Sequence, residues 1–133
     1  MTSQVESLDA NVLLRFALGD VPEQQARAAA LLARNVTYRV FDPIWVEVEF
    51  ALDRHYQLSR AEISDVICSL AAIELISVDV NFLTGVCDLY VRYPKLSFVD
   101  CLVASRAQQL DAAPLRTFDA KLAKQHESAA LVP

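Results

Sequence analysis

Short apolar segments alternate with longer segments of helical periodicity along the whole chain. The short segments are bounded by polar or turn-forming residues, which is typical of strands. In the longer segments apolar residues recur every three or four positions, which predicts helices. The predicted strands are Val5–Leu8, Thr37–Phe41, Glu74–Val78 and Leu115–Phe118, and the predicted helices are Asn11–Leu18, Glu23–Arg34, Ile44–Tyr56, Ser59–Ala72, Asn81–Tyr93, Phe98–Leu110 and Ala120–Gln125.

Alternating strands and helices predict an α/β fold around a parallel sheet. The length of 133 residues fits one domain over residues 1–133. A hydrophobic content of 54% argues against disorder, and no apolar run is long enough to cross a membrane. The N-terminal residues show no secretory signal, and three separated cysteines, Cys68, Cys87 and Cys101, are expected to be reduced, so we expect a cytoplasmic protein.

Composition also limits the binding chemistry. The chain has two glycines, Gly19 and Gly85, so neither a phosphate-binding P-loop nor a dinucleotide fingerprint can be written. The net charge of −5 at first argues against nucleic acid, because phosphate backbones bind basic surfaces. If four carboxylates hold divalent cations, that objection weakens.

Acidic residues follow each predicted strand. Asp9, Asp42, Asp79 and Asp119 occupy the strand ends, where ligands of open parallel sheets bind. Each of these four could instead cap the helix that follows, because Asp is a favoured N-cap.

Three further acids lie on helices. Asp100 fits a capping box with Ser97, yet it faces apolar residues, where an ionised carboxylate is costly unless it is paired or bound to metal. Glu47 and Glu49 flank the apolar stripe of Ile44–Tyr56, and periodicity alone does not say which of them faces a site.

Four sequence motifs occur in the order found in one nuclease family. The first has Asp9 and Asn11 in Leu8-Asp9-Ala10-Asn11-Val12-Leu13. The second has Glu47 before Phe50-Ala51-Leu52, followed by Tyr56-Gln57-Leu58-Ser59-Arg60. The third is Phe98-Val99-Asp100-Cys101-Leu102, and the last is Thr117-Phe118-Asp119. On these motifs the chain resembles the PIN-domain ribonucleases, in particular the VapC-like toxins of type II toxin–antitoxin pairs.

The resemblance implies a three-layer α/β/α fold with a central parallel sheet of four to five strands. It implies a divalent-metal-dependent endoribonuclease that uses Mg²⁺ or Mn²⁺, acts on RNA, forms a homodimer and is blocked by a cognate antitoxin. The register of the second motif selects Glu47 rather than Glu49. The implied catalytic residues are Asp9, Glu47, Asp100 and Asp119, with Asp9, Asp100 and Asp119 as metal ligands and Asn11 and Thr117 as supporting hydrogen-bonding groups.

Two alternatives remain open. Many family members carry a further acid at the position of Ser97, and Ser is a poor Mg²⁺ ligand, so a catalytically silent PIN-fold binding module is one alternative. A phosphoacceptor receiver domain is the other, with Asp79 as the phosphorylated residue. A receiver domain needs an acid pair after its first strand, where this chain has only Asp9.

The remaining candidates have structural interpretations. His55 and His126 are too isolated for an acid–base pair and are expected at the surface or at helix ends. Trp45 is expected in the core, whereas Val46 and Phe50 lie away from the main apolar stripe and are candidates for contact with another chain.

Overall fold

A computed structural model describes residues 4–133 and separates the chain into two compact units. The first unit ends at Val80 and the second spans Asn81–Pro133. The elements of the first unit are β1 (Val5–Ser7), α1 (Ala10–Leu18), α2 (Pro22–Leu32), β2 (Thr37–Arg39), α3 (Asp42–Arg54), α4 (Arg60–Ala71) and β3 (Ile76–Ser77). Those of the second are α5 (Val80–Arg92), which begins at the boundary, α6 (Phe98–Gln109), β4 (Leu115–Thr117), α7 (Ala120–Gln125) and β5 (Ala129–Leu131).

The first unit is built on a parallel three-stranded sheet in the order β1-β2-β3. Tyr38 of β2 pairs with Glu6 on one side and with Ile76 on the other, and its side chain is fully buried. Helix α1 contacts α2, α3 and α4, and α3 also packs on α4. Burial of Trp45 and Leu52 fixes the apolar side of α3 and leaves its other side in solvent.

The second unit contains a parallel pair, β4 and β5, with α7 packed on both strands and α6 packed on β4. Its core includes an edge-to-face pair of aromatic rings, Tyr90 and Phe98, with centroids 5.4 Å apart. Asp119 therefore lies between a strand and a short helix, and Asp100 lies in the first turn of α6.

The predicted single sheet of four to five strands is wrong for residues 4–133, which form a three-stranded and a two-stranded sheet. These strands have two or three residues each, so few ladder hydrogen bonds define their pairing. Strand β5 was not predicted, because Ala129 and Ala130 have low strand propensity. The assignment of residues 1–133 to one domain stays a prediction.

All seven predicted helices are present, with ends shifted by a few residues. Helix α3 begins earlier than predicted because Asp42 and Pro43 belong to its first turn, where proline is well tolerated. Cys68, Cys87 and Cys101 form no disulfide within residues 4–133. No helix within residues 4–133 has the length and apolarity needed to cross a bilayer.

The hydroxyl of Tyr38 joins β2 to α2, since it donates a hydrogen bond of 2.7 Å to the carbonyl oxygen of Leu31. Tyr38→Phe removes this bond inside the core and is expected to lower the free energy of unfolding by about 1 kcal/mol. Urea denaturation measures the change. Tyr56→Phe is the control: it removes a hydroxyl from a more exposed network that water can replace, so its loss should be smaller. An equal or larger loss in the control would contradict this interpretation.

Candidate active site

Asp9 lies directly beyond the first strand, at the N-cap position of α1. The backbone N–H of Leu8 donates to the carbonyl oxygen of Arg39 at 3.1 Å, which extends the pairing of β1 with β2 up to this point. The Asp9 side chain is exposed and accepts no capping hydrogen bond from the described residues. Asp9 is therefore the N-cap residue, as one interpretation predicted, but its carboxylate makes no capping bond and both oxygens are open to a ligand.

Glu47 lies in the second turn of α3, on the side opposite the buried Trp45. Its side chain is exposed and has no hydrogen bond or ion pair with residues 4–133. Glu49 is half-buried and already interacts with another group of the chain. Of the two glutamates, Glu47 is thus the one whose carboxylate is available.

Asp100 and Ser97 form the predicted capping box. The Asp100 N–H donates to Ser97 Oγ at 3.0 Å, and the Ser97 N–H donates to Asp100 Oδ2 at 3.2 Å. Oδ1 of Asp100 accepts no hydrogen bond from the described part of the chain. The apolar surroundings expected for Asp100 are observed only in part: Ala104 is fully buried, but Val103 is 42% exposed and the Asp100 side chain itself is half-buried. Desolvation of Asp100 is therefore smaller than the sequence pattern predicts.

Asp119 caps α7, as the structural interpretation of this residue predicted. Its Oδ1 accepts the N–H groups of Lys121 at 2.9 Å and Leu122 at 3.2 Å. Its own N–H donates to Thr117 Oγ1 at 2.9 Å, so Thr117 fixes the start of the turn. Oδ2 of Asp119 has no protein partner within residues 4–133, so the capping role leaves one oxygen available.

The four carboxylates offer the hard oxygen ligands that Mg²⁺ and Mn²⁺ prefer. Among the described residues, no group of three or more His, Cys, Asp or Glu side chains is placed so that it could hold a metal ion. Mg²⁺ commonly binds through one or two carboxylates together with waters and substrate phosphates. The donor chemistry therefore fits such a cation, while the site assignment stays a prediction.

The two other acids predicted at strand ends are Asp42 and Asp79. Asp42 lies inside the first turn of α3, because Phe41 is the N-cap residue. Asp42 and Asp79 both interact with other groups of the chain. Asn11 is exposed and lies with Arg15 and Arg27 along a cavity of about 360 Å³ in the first unit.

A polar network around Asp20 was not predicted from the sequence. The hydroxyl of Tyr56 donates to Asp20 at 2.7 Å, and the Arg15 guanidinium lies 3.2 Å from the same carboxylate. The hydrogen bond from Tyr56 and the charge of Arg15 lower the pKa of Asp20. The Tyr56–Arg60 motif therefore has a structural role here, and its Ser59 forms the predicted capping box with Glu62.

His126 lies at a helix end, as one of its two predicted positions requires, but it is buried. It follows α7, and its side chain is only 4% exposed. Nδ1 accepts the N–H of Ser128 at 3.0 Å, so the neutral ring carries its proton on Nε2. Burial lowers the pKa of His126 below 6.5, while nearby Glu127 acts in the opposite direction. An isolated histidine in the sequence gives no signal of this burial.

The different bonding of Asp9 and Asp119 predicts different effects on stability. Asp119→Ala leaves two N–H groups of α7 without their partner and should lower the free energy of unfolding by about 1 kcal/mol. Asp9→Ala removes no capping bond and should cost a small fraction of that. Urea unfolding of the two variants gives the comparison. Equal losses would mean that Asp9 stabilises α1 after all.

The lowered pKa of His126 predicts a loss of stability in acid. Below pH 6.5 the unfolded chain binds a proton on His126 more readily than the folded chain does. The free energy of unfolding should therefore fall as the pH drops from 7.5 to 5, with Glu127 and Arg92 as the charged neighbours in the same cavity. His126→Gln should reduce this dependence.

His55→Gln is the matched control, since His55 is exposed. This variant should keep the dependence on pH seen in the parent chain. Denaturation at several pH values tests both variants, and an unchanged pH dependence in His126→Gln would contradict the assignment.

Comparison with known proteins identifies one family. The model of the family described as PIN domain matches residues 7–127, a span that includes Asp9, Glu47, Asp100 and Asp119. A search of curated proteins gives no significant match.

Proposed function

The chain belongs to the PIN domain family, and from that premise we propose that it is a divalent-metal-dependent endoribonuclease. PIN domains have a nuclease-type fold and are commonly metal-dependent nucleases. The observation that carries the proposal is the carboxylate of Asp9, which follows β1 at the start of α1 without capping that helix. A buried side chain at this position, or one that caps the helix, would favour a structural role instead.

Asp9 and Asp100 are the proposed direct metal ligands, and Asp119 is the third. Asp100 and Asp119 each give one oxygen to a helix N-terminus and keep the other. These helix contacts fix the rotamer of each carboxylate, which orients the remaining oxygen. When bound, a divalent cation stabilises charge on the phosphoryl oxygens and lowers the pKa of a water. The same cations offset the acidic charge of −5 that otherwise repels RNA.

Glu47 is the proposed general base. Its exposed carboxylate accepts a proton from the water whose oxygen attacks phosphorus. The bond from phosphorus to the departing ribose oxygen breaks, and that oxygen takes a proton from solvent. Asn11 is proposed to hydrogen-bond around the site, and Thr117 to orient Asp119 through the backbone contact described above.

The resemblance to VapC-like toxins extends the proposal to partners and location. We propose that the protein is cytoplasmic, that it is the toxin of a toxin–antitoxin pair, and that it forms a homodimer. Exposed apolar side chains support contact with another chain, because Phe41 and Phe50, next to and within α3, are 56% and 54% exposed.

Cleavage of RNA by the purified chain tests the proposal. Glu47→Gln should lower kcat by about 10²–10⁴-fold, the usual contribution of a general base. Asp9→Asn and Asp100→Asn should remove the stimulation by Mg²⁺ or Mn²⁺, and chelation should stop cleavage by the parent chain. Asp53→Asn is the control, because Asp53 is also an exposed acid of α3 and has no proposed role.

Circular dichroism shows whether each variant is folded. Undiminished cleavage by folded Asp9→Asn and Asp100→Asn variants would refute the proposed site. RNA binding without cleavage by the parent chain would instead favour the silent binding module, in which Ser97 serves only as the cap of α6.

A further inference from the structure

Two buried polar atoms lie side by side in the sequence and have no partner. Gln125 Oε1 and His126 Nε2 are shielded from solvent and make no hydrogen bond with residues 4–133. Because Nδ1 of His126 accepts the N–H of Ser128, Nε2 carries the hydrogen and is a donor. One acceptor and one donor without partners thus occur at the end of α7. Buried polar groups are nearly always hydrogen-bonded, so this pair needs an explanation.

Both residues line the same cavity of the second unit, although their two unpaired atoms lie just beneath its surface, since neither atom is accessible to solvent. The cavity has a volume of about 310 Å³, at the lower end of the roughly 300–1,000 Å³ typical of small-molecule sites. Its other lining residues come from the ends of α5 and α6 and from the segment after α7: Leu89, Arg92, Tyr93, Gln108 and Glu127. The side chain of Gln108 donates to Glu127 at 3.3 Å, which ties α6 to that segment.

The lining chemistry selects among ligand classes. Arg92 is paired with Asp88, and Glu127 adds a negative charge, so a phosphate or carboxylate would meet repulsion without a free cation to balance it. A metal ion is disfavoured by the Nε2–H group of His126, which has no lone pair to offer. A neutral, planar group with a donor beside an acceptor matches both unpaired atoms, and the Tyr93 ring, which has the Arg92 guanidinium 6.0 Å from its centroid, lines the same cavity.

We propose that this cavity binds a nucleobase of the RNA substrate, with the base accepting from His126 Nε2–H and donating to Gln125 Oε1. The identification of the ligand rests on the proposed ribonuclease function; the cavity and its unpaired atoms do not. Every nucleobase has an edge on which a donor adjoins an acceptor, and exposed bases of single-stranded RNA are commonly read in this way. The half-buried Gln125 side chain turns to admit the base, which then supplies the partners that the protein lacks.

Nucleoside titration monitored by side-chain NMR tests the proposal directly. The probes are adenosine, guanosine, cytidine and uridine, with ribose 5-phosphate and N-acetylglycinamide as comparison compounds. At least one nucleoside should shift the signals of the His126 ring and the Gln125 amide in a saturable manner. Gln125→Leu should weaken this binding at least about tenfold, as expected when a hydrogen bond that a site is built to make is lost.

Two further variants control for folding and position. Tyr93→Leu removes the aromatic ring from the cavity lining and should also weaken binding, so the test does not depend on the Gln125 variant alone. Lys124→Met changes the exposed neighbour of Gln125, outside the cavity lining, and should bind as the parent chain does.

Three results would overturn the proposal: no saturable shift with any nucleoside, equal shifts with ribose 5-phosphate, or equal shifts with N-acetylglycinamide, which would mark a site for peptide amides. Nucleoside binding by a chain that cleaves no RNA would refute the ribonuclease and leave the cavity assignment standing. Cleavage without nucleoside binding would refute the cavity assignment and leave the ribonuclease standing.

Discussion

An acidic side chain between a parallel strand and the helix that follows it can cap that helix or bind a ligand. The first N–H groups of the helix have no backbone partner, and a nearby carboxylate oxygen satisfies them well. Any oxygen that is not used in this way remains at the end of the sheet where ligands of parallel sheets bind. In this chain Asp119 gives one oxygen to its helix and keeps the other without a partner among residues 4–133, whereas Asp9 gives none to its helix.

A single acidic residue can thus stabilise a helix with one oxygen and offer the other oxygen to a ligand. A carboxylate that caps a helix is held in one orientation, so its second oxygen can bind a cation with little further loss of side-chain freedom. Asp100 reaches the same state through the capping box with Ser97. Ser97 therefore serves as the N-cap of α6, so the helix begins without the acid that is common in the family at this position.

The sequence predicted the helices well because their signals are local. Ser59 with Glu62 and Ser97 with Asp100 have the spacing of capping boxes, and both boxes form. The division into two sheets could not be predicted, since strands of two or three residues carry almost no periodicity of their own. The burial of His126 depends on packing at the end of α7, which residue spacing does not encode.

The candidate site shows the same limit. Asp9 and Asp119 are the same residue type in the same strand-to-helix position, and only the structure shows that one caps and the other does not. The preference for Glu47 over Glu49 came from the resemblance rather than from periodicity, and the exposure of Glu47 agrees with it. The catalytic assignment thus rests on the family and on available oxygens, since no group of three ligands is found among residues 4–133.

The central proposal, which the family resemblance carries, is that Asp9, Glu47, Asp100 and Asp119 act on one divalent cation. Paramagnetic broadening of carboxyl NMR signals by substoichiometric Mn²⁺ tests this most directly, because broadening falls steeply with distance from the ion. The account predicts that all four carboxyl signals broaden together, ahead of the exposed control Asp53. Broadening that spares either Asp9 and Glu47 or Asp100 and Asp119, or that is spread evenly over the acidic surface, would contradict it.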